Sequence, residues 1–96
     1  MIAILSAALL AVTPAQATSH AGFCAAIIDG KAIVTDAKET PSKAALEADF
    51  RTFLNGKNAT LSGCMVGSSV EIANGMMRAK VIQIGREGYE ITLYGW

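Results

Sequence analysis

The chain has 96 residues, of which 52% are hydrophobic, and its eight basic and eight acidic side chains cancel. Neither sign forms a long block, so a broad electrostatic attraction to nucleic acid or acidic lipid has no support. The length holds one small domain. Without its first 17 residues, an expected export signal, the remaining 79 of 96 would be consumed by an eight-stranded membrane barrel at about ten residues per strand, with nothing left for turns.

Residues 1–17, MIAILSAALLAVTPAQA, carry no charge. The apolar run from Ile2 to Val12 suits the core of an export signal and falls short of the roughly 20 apolar residues that cross a bilayer. Pro14 follows, and Ala15 and Ala17 supply the small side chains a signal peptidase must fit. The expectation is a signal peptide at 1–17 and a single small exported domain at 18–96, secreted or periplasmic, with no transmembrane segment in the mature form. No Lys or Arg precedes the run, which leaves open a start within a longer leader. A buried first helix is the competing reading, but such helices usually keep one polar face. Phe23 ahead of Cys24 is too bulky for a lipid-attachment site.

Cleavage after Ala17 would leave Thr18-Ser19-His20 at the amino terminus. The free amine, the amides of Ser19 and His20 and the imidazole then supply four nitrogens in a plane, which Cu(II) and Ni(II) accept. Met65, Met76 and Met77 offer softer sulfur, but their segments are apolar and core packing is the simpler use.

Cys24 and Cys64 admit one intramolecular pairing. In an exported chain of this size a disulfide is expected, and closing a loop of 40 residues would stabilise by about 4 kcal/mol in the chain-entropy model. A reactive thiol or thiolate metal site would call for a CxxC or a nearby His, and neither is present.

Phe23 to Ile28 and Ala32 to Thr35 are apolar runs around Asp29-Gly30 and read as a β-hairpin, with a short helix over Gly22 to Asp29 as the alternative. Thr40 then offers a cap and Pro41 a first helical position. From Lys43 to Leu54 a helix is predicted: Leu46, Phe50, Phe53 and Leu54 share one stripe, Glu47, Asp49 and Arg51 lie off it, and Asn55-Gly56 ends it. Four strands are predicted next, at Ala59 to Val66, Val70 to Ala73, Met76 to Ile84 and Tyr89 to Tyr94. Gly67-Ser68, Asn74-Gly75 and Gly85 to Gly88 would be their turns, Asn-Gly suiting the type I′ geometry. The expected fold is α+β, about ββαββββ: a small antiparallel sheet or partly closed barrel packed on one side by one helix through Phe50 and Phe53.

Residues for catalysis are scarce. His20 is the chain's one histidine and would lie two residues from the amino terminus left by cleavage, so no Ser-His-Asp or Cys-His arrangement is expected. No carboxylate pair sits in a recognisable setting, and phosphate loops, paired CxxC sites and EF-hand patterns are absent. Asn58-Ala59-Thr60 matches a glycosylation acceptor, relevant only in a eukaryotic host. In the last segment Tyr89, Ile91 and Leu93 alternate with Glu90, Thr92 and Tyr94. With the first set inward, Thr92, Tyr94 and Trp96 share the other face, either as a recognition patch or as cover for a second small core.

The expected function is a small secreted or periplasmic binding module, not an enzyme, that recognises a protein or envelope component, an inhibitor being one form of this. No nucleic-acid partner and no cofactor are expected. The alternatives are Cu(II) or Ni(II) binding at Thr18, Ser19 and His20, and a small enzyme built on a carboxylate pair.

Overall fold

The computed structural model describes residues 20–96. The expected export signal and Thr18 and Ser19 of the expected metal site lie outside them. His20–Ile28 forms strand β1 and Lys31–Thr35 forms β2. The two turn residues between them, Asp29 and Gly30, are left-handed, with φ of 52° and 77°. This is the type I′ turn, whose twist matches that of the strands it joins.

Lys38–Thr40 forms β3. β2 pairs antiparallel with β1 from Ala25↔Val34 to Ile28↔Lys31, and β3 continues along the same edge from Gly22↔Lys38 to His20↔Thr40. The register slips by one residue between the two stretches, so the chain bulges at Asp36 and Ala37. The buried Thr35 hydroxyl fills the gap in the ladder. It accepts the Cys24 N–H at 2.8 Å and donates to the Cys24 carbonyl at 3.2 Å. A side chain thus replaces the backbone partner that the bulge removes.

Helix α1, Lys43–Leu54, follows. Its cap is Ser42, whose hydroxyl accepts the Ala45 N–H at 3.1 Å. The Thr40 hydroxyl instead donates to the Ser42 carbonyl at 3.0 Å, so the cap lies two residues beyond the expected one. Asn55 ends the helix in the left-handed region, φ 50°. Leu61–Gly67 forms β4, antiparallel to β1 on its other edge from Ala21↔Gly67 to Ile27↔Leu61. Helix α2 is Val70–Arg86, and β5, Glu90–Tyr94, lies parallel to β2. Across the sheet the order is β4, β1, β2, β5, with β3 extending β2.

Both helices are crossovers between strands that run the same way. α1 leads from β3 over β1 to β4, and α2 leads back over β1 and β2 to β5. Connections of one hand that cross a sheet in opposite directions must pass over opposite faces, and the core is accordingly double. On the α1 face Cys24, Ala26, Leu46, Phe50 and Cys64 are buried together. On the α2 face Phe23, Ala32, Val34 and Ile84 are buried, with Met76, Met77 and Val81 packed around them. β1 serves both, its even residues facing α1 and its odd residues α2. Gly22 sets the α1 spacing: a Cβ there would lie 2.6 Å from Leu46 Cδ2 and 2.5 Å from the Met65 carbonyl oxygen.

The α+β class and the single disulfide are as expected. The second half is not the run of hairpins the sequence suggested: Val70 to Ala73 and Met76 to Ile84 are one helix, and the sheet is mixed, not purely antiparallel. Two physical terms outweigh the Asn74-Gly75 turn signal. The Ser69 hydroxyl caps the helix by accepting the Ile72 N–H at 3.1 Å. Ala73, Met77, Val81 and Ile84 then fall on one stripe that covers a sheet face otherwise left bare. One interior glycine costs a helix only about 1 kcal/mol.

Candidate functional site

Cys24 and Cys64 stand directly opposite each other on β1 and β4, Cα to Cα 4.0 Å, and are disulfide-bonded. Such a bond is compatible with an oxidising compartment. Its setting also fixes the direction of every backbone group along β4. The Cys24 N–H and carbonyl both meet Thr35, so they point toward β2 and away from β4. Ile28 and Lys31, the pair that closes the two-residue hairpin, agree with this alternation. Conversely, the Ile27 carbonyl points the other way and accepts from Thr60 N at 2.8 Å. It follows that Leu61, Gly63 and Met65 bond inward to β1, and that Ser62, Cys64 and Val66 aim their N–H and C=O groups outward. Among the described residues no strand pairs with that outer edge.

This edge borders a groove. Phe23, Ala25 and Ile27 of β1 and Leu61, Gly63 and Met65 of β4 form its floor, and Lys80 and Ile84 of α2, with the C-cap Glu87 and Tyr89, form one wall. Its volume is ≈ 320 Å³. The groove exists because α2 crosses the sheet diagonally. Near its start it packs on the end of β4, where Ile72 and Met76 lie against Gly67, and near its finish Ile84 sits over β2. The first half of β4 is therefore uncovered on this face: Leu61 is 64% and Met65 42% exposed, and Gly63 carries no side chain to fill the space between them. From Ala59 to Val70 there is no charged residue. Exposed sheet edges usually carry charges or proline that discourage pairing, and β4 has neither.

The residues singled out from sequence are dispersed. His20 opens β1 opposite Thr40 and is half-buried. Among the described residues no group of three or more His, Cys, Asp or Glu is placed to hold a metal ion. Thr92, Tyr94 and Trp96 lie on the α1 face of β5 and just beyond it. The Trp96 ring meets Phe50 and Phe53 at 5.9 Å between centroids, and the Tyr94 ring meets Phe53 at 5.5 Å. The Trp96 indole N–H donates to the Asp36 carbonyl at the bulge, 2.7 Å, and Lys38 Nζ sits 4.3 Å from its ring while pairing with Asp49 at 2.9 Å. These rings cover the outer end of the α1-side core, with Tyr94 still 41% exposed. The groove was not foreseen from sequence. Its visible signal was the uncharged stretch around Gly63 beside an exposed Leu and Met, but exposure itself depends on where α2 lies.

Against known protein families, curated proteins and solved structures, the chain finds no match. Among the described residues no helix is long and apolar enough to cross a membrane.

Proposed function

We propose that this domain is an exported protein-recognition module that takes an extended segment of its partner as an added strand along β4. The observation that carries this reading is the outward row of backbone groups at Ser62, Cys64 and Val66, unpaired among the described residues, on an uncharged strand beside a groove with an apolar floor. Main-chain hydrogen bonds would hold the partner strand, and alternate side chains would enter the groove over Gly63, the usual division between affinity and selectivity in strand addition. The disulfide ties the centre of β4 to β1, so the edge is ordered before a partner arrives, which lowers the entropic cost of binding.

The test is a random-peptide display selection on the disulfide-bonded protein, counter-screened with Ser62→Pro. Proline removes one outward N–H without touching a bond to β1. Binders with a neutral, alternating apolar pattern that lose affinity at least tenfold against the variant are expected. Binders that hold both proteins equally would reject β4 as the recognition element.

A further inference from the structure

We infer that the strand this edge accepts is β4 of a second copy of the chain, giving a twofold-symmetric dimer with a sheet continuous across the two domains. The inference rests on the strand-addition reading of the edge and names its occupant.

The size pattern of β4 is symmetric about Gly63: Leu61 and Met65 are large and exposed, and Gly63 between them has none of its own side chain to offer. An antiparallel pairing of two such strands with Gly63 on the axis sets Leu61 of each copy against the second copy's Met65. Gly63 bonds inward to β1, so the axial pair is of the non-hydrogen-bonded kind, and the flanking Leu and Met stand in the same kind of pair, where side chains approach most closely. All four side chains lie on the α2 face, over the groove. Ser62 of each copy meets the second copy's Cys64, and these are the outward-pointing residues, so two such pairs exchange four backbone hydrogen bonds. A shift of the centre to Cys64 would instead set Leu61 against Gly67 and leave it uncovered. Charge points to the same occupant. With no charged residue from Ala59 to Val70, two copies meet along β4 without repulsion, and the Lys80 and Glu87 that each copy carries on its groove wall are of opposite sign. A shared symmetric patch is also what a closed twofold dimer requires.

Sedimentation equilibrium on the disulfide-bonded protein tests the idea. The average mass should rise from one chain to two as concentration increases, with amide exchange slowing at Ser62 and Cys64 and not along the sheet's other edge at Ile91 and Leu93. Ser62→Pro should shift the dimer dissociation constant at least tenfold while keeping the melting temperature measured below that constant, where the protein is monomeric. If that variant unfolds, Met65→Lys, at an exposed position, provides the same disruption by charge. Gly63→Cys, with diamide added as the two-electron oxidant, should give a covalent dimer through the new thiols, because a pairing centred there brings both copies of residue 63 together. A mass of one chain at every concentration overturns the inference, as does a dimer indifferent to both variants or one that Gly63→Cys fails to cross-link. A monomer that still selects Ser62-dependent peptides overturns self-pairing alone. A monomer that selects none overturns strand addition as well.

Discussion

Replacing Gly75 by Ala separates the helix seen here from the hairpin that Asn74-Gly75 suggests. Gly75 is the sixth residue of the 17-residue α2, it is exposed, and it is not among the left-handed glycines. An added Cβ meets no atom within 4 Å, so tertiary packing is unchanged and the difference reduces to helix propensity. That difference is about 0.8–1.0 kcal/mol in favour of Ala. For a domain of this size the corresponding rise in melting temperature is roughly 4–8 °C. The assay is urea and thermal unfolding with the disulfide intact, followed by circular dichroism, and the denaturant slope should not change. Gly30→Ala serves as the internal control. Its φ of 77° should make that change destabilising by about 1 kcal/mol or more. Were Gly75 in a type I′ turn, both substitutions would destabilise, and a loss of stability at position 75 would refute α2.

Two further outcomes are expected. Removing the disulfide with the Cys24→Ala, Cys64→Ala pair should cost about 4 kcal/mol from the 40-residue separation, read as a lower urea midpoint; a loss under 1 kcal/mol would mean that the unfolded chain is already held compact. Replacing Trp96 by Ala breaks the bond to the Asp36 carbonyl and the contacts with Phe50 and Phe53. For a half-buried ring the loss should be about 1–3 kcal/mol, below the full-burial range. An unchanged melting temperature would release Trp96, and with it Tyr94, from a packing role and return them to the surface available for recognition.

Most of the first half of the fold is legible in the sequence because local chemistry decides it; β3 and the bulge before it, which depend on pairing with β1, are not. Asp29-Gly30 can occupy two left-handed positions with little strain, Asn55-Gly56 stops α1, and Leu46 and Phe50 mark the face that α1 buries. The two cysteines had one way to pair. The second half could not be read in this way. Val70 to Ile84 is apolar enough to satisfy a strand or a helix, Asn74-Gly75 favours a turn in isolation, and the deciding contribution is a sheet face that only the assembled strands present. The site follows the same division. That β4 carries no charge is written in the sequence, whereas its position at the sheet edge, the outward direction of Ser62, Cys64 and Val66, and the groove left by the diagonal run of α2 arise from pairings between residues distant in the chain. Periodicity along a chain specifies which side of an element is apolar; which of those sides remains uncovered depends on how many layers the tertiary structure supplies.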